Sequence, residues 1–322
     1  MSIAATGEPL ALRDMGSFFA GGREVTVADR PTARLYISDT LPDFRHDPNG
    51  RYAIEACYVQ YFLPVAASGD PVLLLHGGGF SGACWETTPD GRPGWLELLL
   101  RLGRAVYVID SVERGRAGWC ALPGIWPDAA IMRTAEEAWR IFRLGPADGF
   151  AARRTHPGGR FPLPAFPELM KQFVPRWPDS DSRALPAILE AVRRIGRCTI
   201  IVHSSGAGLA YRIATESPEL VSGIIALEPN GTPPDLPGCL ADSRFLALFG
   251  DYCDGDPLWQ GLRAQIRDLH DRLGNRGACA AVLDLAAHGL PGHSHMMMMD
   301  VGNEAVLALA LSELAALSSP LP

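Results

Sequence analysis

An apolar run that stops abruptly at a serine is the most constraining feature of this sequence. Residues 198–208 read Cys-Thr-Ile-Ile-Val-His-Ser-Ser-Gly-Ala-Gly, and an apolar helical pattern follows. β-branched residues favour a strand, and the small residues Gly206 and Ala207 let a helix start hard against it. The segment therefore predicts a strand, a sharp turn and a helix with the hydroxyl of Ser204 at the apex, although an ordinary strand–helix junction with a polar turn is the alternative. It matches a nucleophile elbow, except that Val202 stands where the usual motif has glycine.

Composition narrows the class of protein. With 322 residues, 47% of them hydrophobic, the chain can form one large α/β domain or two average ones. Its net charge of −7 argues against nucleic acid and acidic membrane surfaces as partners. The longest apolar stretch, 305–317, is interrupted by Ser312 and Glu313 and is too short to span a membrane.

The cysteines and the N-terminal residues bear on where the protein works. The seven cysteines form no CxxC pair and so lack metal-ligand spacing. An odd number leaves at least one thiol free, which indicates a reduced compartment. Residues 1–11 have no basic start followed by a long apolar run, so no signal peptide is evident. We therefore expect a cytoplasmic protein without a cofactor or a metal.

Strand-like and helical segments alternate along the chain, which predicts a mostly parallel sheet. Expected strands occupy 34–37, 52–63 (antiparallel), 72–75, 105–110, 198–202, 222–227, 245–249 and 280–285. Expected helices occupy 95–103, 128–144, 182–196 and 304–317. We expect Asp181 or Ser182 to cap the third of these helices and Asn303 to cap the last.

A long segment between Asp110 and Ser182 fits no strand rhythm. Its roughly 70 residues are rich in proline and glycine and carry several aromatic side chains, and insertions of this length usually cover something. We expect residues 111–181 to form a lid inserted between the two parts of the core, 1–110 and 182–322. A solvent-exposed excursion is the alternative.

Consecutive glycines follow the predicted strand 72–75, in the sequence His-Gly-Gly-Gly-Phe at 76–80. Without a Cβ, their backbone N–H groups can face a substrate oxygen. A serine nucleophile needs such donors to hold the negative oxygen of its tetrahedral intermediate. We expect the N–H groups of Gly78 and Ser205 to form this oxyanion hole.

The general base of such a site should be a histidine after the last strand. His288, His293 and His295 all lie between that strand and the final helix, whereas His270 falls in a helical pattern. We expect His295 to be the base, because it lies nearest the final helix and four methionines beside it could line an apolar pocket. His293 is the alternative base.

The acid that orients the base has two candidate positions. Glu228 ends the strand after the elbow helix, and Asp251 and Asp254 follow the next strand. A mid-loop aspartate beside glycine or proline is often only a turn residue, whereas a glutamate ahead of Pro-Asn-Gly is harder to explain in that way. Glu228 is therefore the first choice, and Asp254 is the alternative acid.

These motifs resemble the α/β-hydrolase superfamily, and more closely a group of bacterial esterases with a Ser–Glu–His triad whose glutamate follows the sixth strand. Besides the elbow, the resemblance is carried by Gly-Ser-Phe-Phe at 16–19 with Gly-Gly-Arg at 21–23, Leu-His-Gly-Gly-Gly at 75–79, Trp-Glu-Thr-Thr-Pro-Asp-Gly-Arg-Pro-Gly-Trp at 85–95, Tyr-Val-Ile-Asp at 107–110 with Gly-Arg at 115–116, and Gly-His-Ser-His-Met at 292–296.

The resemblance implies Ser204, Glu228 and His295 as the triad and a lid inserted after the strand that ends at Asp110. The chain departs from the pattern at Val202 and in the loop 111–114. Because that loop borders the pocket in such folds, substrate range does not carry over.

We expect a serine hydrolase that cleaves a small-molecule carboxylic ester through an acyl-enzyme intermediate. A lactone, an amide or a carbon–carbon bond is an alternative target for the same triad. A non-catalytic ligand-binding member of the fold is the other alternative, against which the presence of all three triad residue types argues. Whether the protein forms a homodimer is left open.

Overall fold

The computed structural model describes residues 9–233, 236, 240 and 243–317. Residues 1–8, which carry much of the expectation about a signal peptide, and Cys239 lie outside the described residues. The described chain forms an eight-stranded sheet flanked by helices, together with a separate two-stranded sheet.

The strands are β1 (Leu12–Val27), β2 (Ala33–Leu35), β3 (Phe44–His46), β4 (Gly50–Pro64), β5 (Val72–Leu75), β6 (Val106–Asp110), β7 (Cys198–His203), β8 (Val221–Leu227), β9 (Arg244–Phe249) and β10 (Cys279–Asp284). The main sheet has the order β1-β4-β6-β5-β7-β8-β9-β10. β4 pairs antiparallel with both β1 and β6. The neighbouring strands in the rest of the sheet, β6-β5-β7-β8-β9-β10, pair in parallel.

The helices are α1 (Trp95–Arg101), α2 (Ala135–Ile141), α3 (Phe166–Met170), α4 (Asp181–Ile195), α5 (Gly206–Glu216), α6 (Pro257–Gly274) and α7 (Asn303–Ala316). Side chains of α4, α5 and α6 belong to one buried cluster. Side chains of α1, α7 and the shorter helices α2 and α3 belong to a second cluster. Because helices cover both faces, every residue of β5 and of β8 is buried, as is usual for central parallel strands.

This arrangement confirms the predicted α/β fold with a mostly parallel sheet. The carboxyl ends of parallel strands meet at one edge, and ligands bind there in open α/β sheets. The loops after β5, β7, β8 and β9 therefore converge, and they carry the glycine run, the elbow serine and both candidate acids.

The N-terminal region differs from the prediction. β1 is a long strand paired with β4, whereas the strand expected at 34–37 is only the short β2 of the two-stranded sheet. β1 lies at the sheet edge with most of its residues exposed or partly exposed, so its sequence lacks a clear apolar alternation. At Gly21 there is no room for a side chain, because a Cβ there would lie 2.5 Å from the Cα of Ala187 in α4.

Three helix predictions also need correction. The helix expected at 128–144 is only the seven-residue α2, because Thr134 caps it by accepting a hydrogen bond from the N–H of Glu137 at 3.1 Å. α4 is preceded by Ser180 rather than by Asp181 or Ser182 as its cap. Asn303 is the first residue of α7, and its amide donates backward to the carbonyl of Met298 at 3.0 Å.

Residues 111–181, the segment expected to be inserted and called the insert below, pack closely on the rest of the chain. Its aromatic side chains Trp139, Phe142 and Phe166 are fully buried, and they share a cluster with the methionines at 296–299. The imidazole of His295 stacks on Phe142 with ring centroids 5.4 Å apart. The insert therefore helps to form the surroundings of the loop between β10 and α7 that carries His295, which is called the histidine loop below.

Candidate active site

Ser204 lies at a strained turn between β7 and α5. Its φ of +52° is a left-handed conformation that non-glycine residues rarely adopt, and such strain clusters at functional sites. Its N–H donates to the carbonyl of Leu227 at 2.9 Å, which ties the turn to β8. A Cβ at Gly206 would lie 2.6 Å from the carbonyl oxygen of His76, so the start of α5 needs a glycine. The hydroxyl is thereby presented at the carboxyl edge of the sheet.

The glycine loop after β5 lies directly against the elbow. A Cβ at Gly77 would come within 3.0 Å of the Ser204 Cβ, and one at Gly78 within 2.7 Å of Ser205 Oγ. Among the described residues, the N–H groups of Gly78 and Ser205 donate to no protein acceptor. Both residues line the same cavity as Ser204. Two backbone donors are therefore available beside the serine.

His295 and Glu228 form a buried hydrogen-bonded pair. Nδ1 of His295 lies 2.7 Å from Oε2 of Glu228, and both side chains are at most 2% exposed. Because the carboxylate accepts, Nδ1 carries the proton in the neutral ring, and Nε2 keeps its lone pair. Burial lowers the pKa of His295, and the carboxylate offsets this effect only in part. The imidazole is therefore neutral near pH 7.

Glu228 is held as an ionised carboxylate. Burial opposes its charge, but Arg143 and His295 outweigh burial and lower its pKa to about 2. Oε1 accepts from the N–H of Gly250 at 2.8 Å and from the guanidinium of Arg143. Its own N–H donates to the carbonyl of Leu248 at 2.8 Å, and its φ is +44°. The sequence analysis missed Arg143, because an arginine within the insert carries no signal that it folds back onto β8.

Ser204 and His295 line one cavity of about 170 Å³. In the described part of the chain, Ser204 Oγ makes no direct hydrogen bond with the imidazole. Catalytic hydrogen bonds are often long in free enzymes and tighten when substrate binds. The structure thus brings Ser204, His295 and Glu228 to one site, with the serine and the imidazole facing common space.

Two further histidines support the loops around the serine. His203 is buried, and its Nε2 lies 3.0 Å from the carbonyl oxygen of His295. This contact ties the end of β7 to the histidine loop. Nε2 of His76 accepts from the N–H of Ser111 at 3.1 Å, and its Nδ1 therefore donates to the carbonyl of Gly77 at 2.8 Å. Burial lowers the pKa of His76 to about 4, so the imidazole that links Ser111 to Gly77 stays neutral. The sequence does contain a signal for His203, because a histidine at the end of an apolar strand is unusual.

The alternative residues lie elsewhere. His293 is fully buried beside Asp300, with its Nδ1 3.4 Å from that carboxylate, and it does not line the cavity of Ser204. Asp254 is 83% exposed and pairs with Arg263 on the surface. His288 is exposed, and its Nδ1 lies 3.1 Å from the carbonyl of Asp284. Neither His293 nor Asp254 meets the Ser204 site.

The motif at 85–95 braces the histidine loop. Arg92 donates to the carbonyls of Met299 at 2.6 Å and Asp300 at 2.9 Å. Nε1 of Trp95 donates to the carbonyl of Asn303 at 3.2 Å. These bonds join two segments about 200 residues apart in sequence and fix the loop that carries the imidazole.

Within the described ranges, no group of three or more His, Cys, Asp and Glu side chains is arranged to hold a metal ion. The helices described there include none that is both long and apolar enough to cross a bilayer.

Comparison with known proteins places this site in a family. No protein-family model matches the chain. A solved structure of a novel bacterial esterase is 30% identical to it, with a TM-score of 0.85, and the match covers 98% of this chain and 99% of that one. The chain belongs to the α/β-hydrolase superfamily. The predicted superfamily and the predicted class of activity, serine hydrolysis of a carboxylic ester, are confirmed.

A curated fungal relative of this α/β hydrolase bears the name "Probable secreted lipase phiG". It is 32% identical over 197 residues, which are 58% of this chain and 52% of the relative. The match thus spans about half the length of that lipase.

This relative contradicts the predicted cytoplasmic location, because it is named as a secreted protein. The prediction was wrong in treating unpaired cysteines as evidence for a reduced compartment. The described cysteines are buried, and burial raises the pKa of Cys57, Cys198 and Cys253 to about 12. Such thiols react slowly in any compartment, so their number says little about location.

Proposed function

We propose that this α/β hydrolase cleaves carboxylic esters with Ser204 as nucleophile, His295 as general base and Glu228 as the acid that orients the base. The observation that carries the proposal is the buried His295–Glu228 pair, 2.7 Å between Nδ1 and Oε2, beside a serine at a strained elbow. The tautomer fixed by Glu228 leaves Nε2 able to accept a proton.

The reaction then runs in two halves. Ser204 Oγ attacks the acyl carbon while Nε2 of His295 takes the hydroxyl proton, and the N–H groups of Gly78 and Ser205 hold the oxyanion. The imidazolium, stabilised by Glu228, gives that proton to the leaving alcohol, and an acyl-serine ester remains. Water attacks this ester with His295 again as base, which releases the carboxylic acid and regenerates the serine.

The insert, residues 111–181, is proposed to act as a cap that shapes the substrate pocket. Phe142 and Ile141 from this segment line the cavity of Ser204, together with Trp259 and Leu262 of α6. These apolar side chains suit the hydrocarbon part of a small ester. Arg143, from the same segment, contacts the proposed acid.

Four variants test the residue assignment. We expect Glu228→Gln to keep its shape but lose its charge, so that kcat falls by about 10²–10⁴-fold, and His295→Ala to lose about 10³-fold or more. The matched controls are Asp254→Asn and His293→Ala, with folding checked by circular dichroism. A crippled Asp254→Asn beside a near-wild-type Glu228→Gln would move the acid to the loop after β9. A dead His293→Ala beside an active His295→Ala would exchange the two histidines.

A further inference from the structure

The cleft at the serine has two arms that share Gly78, Arg176, Ser205 and Asn230. One arm is the cavity of about 170 Å³ described above; it is called the apolar arm after Ile141, Phe142, Trp259 and Leu262, although polar side chains line it as well. The polar arm has a volume of about 310 Å³ and extends past Gly78 on the other side of the elbow. Its remaining lining residues include Arg114, Ser111 and Trp177, together with the carboxylates of Asp179 and Asp181.

Two guanidinium groups face the polar arm. Arg114 is only 6% exposed; its Nη1 donates to the carbonyl of Glu113 at 3.2 Å, and its buried Nε has no hydrogen-bond partner. Arg176 lies over the glycine loop, where a Cβ at Gly78 would be 2.5 Å from Nη1. Burial and the charge of Arg176 lower the pKa of Arg114 to about 10, so the two cations repel each other across the arm.

The carboxylates of the protein do not neutralise this pair at short range. Among the described residues, neither Arg114 nor Arg176 has a carboxylate oxygen within 4.0 Å. Asp181 and Glu113 act on Arg114 only as more distant charges. The carboxylate of Glu113 already accepts from the N–H of Cys120.

The arginine of the apolar arm differs in this respect. Arg133 forms an ion pair with Glu137 at 2.8 Å, although its Nε, too, is buried without a partner. Its charge is therefore met at short range within the protein, whereas the charges of Arg114, which lines only the polar arm, and of Arg176, which lines both arms, are not. A buried cation with an unused donor costs free energy unless a ligand satisfies it. Because Arg114 lines only the polar arm and Arg176 reaches it as well, the polar arm favours an anion more strongly than the apolar arm does.

The position of the base fixes which part of an ester enters each arm. His295 lines the apolar arm but not the polar arm. In the proposed mechanism the imidazole gives its proton to the leaving oxygen, so the alcohol must lie on the side of His295. The acyl chain then points past Gly78 towards Arg114 and Arg176.

We propose that the polar arm binds a carboxylate at the far end of the acyl chain, so that the preferred substrate is a hemiester of a short dicarboxylic acid with an apolar alcohol. This inference rests on the proposed function. Arg114 and Arg176 act as specificity-determining residues, and Arg is well suited to carboxylate recognition. Hydrolysis breaks the acyl–oxygen bond with one water and yields the dicarboxylate, the alcohol and one proton.

The test compares two esters of one alcohol, benzyl hydrogen succinate and its neutral analogue benzyl 4-oxopentanoate, by chromatographic release of benzyl alcohol. We expect the wild-type enzyme to favour the succinate at least ~10-fold in kcat/KM, because charge-assisted hydrogen bonds are about twice as strong as neutral ones. Arg114→Met and Arg176→Met should each reduce this ratio towards one. Arg114→Lys should restore part of it, which guards against a folding defect in Arg114→Met.

The control is Arg267→Met, which removes the same charge from an exposed arginine that pairs with Asp284 outside the cleft and should keep the ratio. Equal kcat/KM values for the two esters in the wild-type enzyme would overturn the anion site and leave the esterase proposal intact. A preference that persists in both cleft arginine variants would overturn it as well. Hydrolysis of neither ester, nor of simple short-chain esters, would instead count against the proposed function itself.

Discussion

The guanidinium of Arg143 donates to one oxygen of the Glu228 carboxylate, while His295 occupies the other oxygen. Arg143 is 2% exposed, its Nε also donates to the carbonyl of Asp251 at 2.8 Å, and it stacks over Trp259. The cation comes from the insert, whereas the carboxylate comes from the core. The insert and the core are therefore coupled through the group that orients the base.

Replacement of Arg143 by methionine should destabilise the protein and alter its pH dependence. A buried carboxylate that loses its ion-pair partner costs about 3–5 kcal/mol. The pKa of Glu228 is lowered, so its charge stabilises the folded protein above the ordinary carboxyl pKa, and this stabilisation is lost as pH falls towards 2. Urea denaturation at pH 7 measures the loss.

Activity of Arg143→Met should also fail at a higher pH than that of the wild type. The carboxylate would titrate closer to its ordinary range, and the imidazole would lose a neighbouring positive charge that lowers its pKa. The matched control is Arg140→Met, an exposed arginine of α2. If Arg143→Met matched Arg140→Met in both stability and pH profile, the coupling would be refuted.

The acid limb of the wild-type pH–kcat/KM profile should lie below pH 6.5. Burial lowers the pKa of His295, and only its neutral form accepts the serine proton, so activity persists until pH falls through this lowered pKa. In Glu228→Gln the residual activity should show a limb at still lower pH, because the carboxylate raises the pKa of the ring. A limb that shifts upward in this variant would contradict the pairing.

Buried neutral histidines should make the folded protein sensitive to acid. Burial lowers the pKa of His76 and of His270 to about 4, so the unfolded chain binds more protons between that value and about 6.5. Each should cost about 2 kcal/mol of stability between pH 7 and pH 5.

His270 offers the cleaner test of this acid sensitivity, because it lies outside the site and its Nε2 is 2.9 Å from the hydroxyl of Tyr211. His270→Gln keeps a hydrogen-bonding side chain and should remove about 2 kcal/mol of the pH 7-to-5 loss in urea denaturation. His288→Gln, at an exposed position, should retain the full loss. If the free energy of unfolding fell equally between pH 7 and pH 5 in the two variants, the explanation would be refuted.

Enlargement of the apolar arm should change substrate choice. Ile141 lines the cavity of Ser204 from the insert, and Ile141→Ala should raise kcat/KM for esters of longer alcohols relative to methyl esters by about 10-fold or more, as one methylene is worth roughly 1–3 kcal/mol in a pocket. Ile131→Ala, an exposed isoleucine of the same segment, is the control. A uniform loss on all esters would mean that Ile141 supports the fold instead.

The central sheet could be predicted from the sequence because its strands obey local rules. β5, β7, β8 and β9 are short apolar runs bounded by turn residues, and each was expected within one or two positions of its observed ends. β1 could not be predicted in this way, since its long pairing with β4 depends on partner residues 23 to 52 positions away and its surface is mostly exposed.

In the candidate site, too, the residues with local sequence signals could be predicted and those that depend on distant contacts could not. The turn at Ser204 and the glycine loop are local features, and chain order narrowed the base and the acid to a few residues. Arg143 and Arg114 depend on how the insert folds back, and no local pattern encodes that path. His203 could have been suspected, because a histidine in an otherwise apolar buried strand needs a polar partner.

The identity of the nucleophile is tested most directly by a fluorophosphonate probe followed by peptide mass mapping. A fluorophosphonate phosphonylates a serine that an adjacent base activates, so the account predicts a single modified site at Ser204 and loss of labelling in Ser204→Ala and His295→Ala. Ser205→Ala, which keeps the backbone N–H, should still be labelled. Modification at Ser205, or ester hydrolysis by Ser204→Ala at the wild-type rate, would contradict the account.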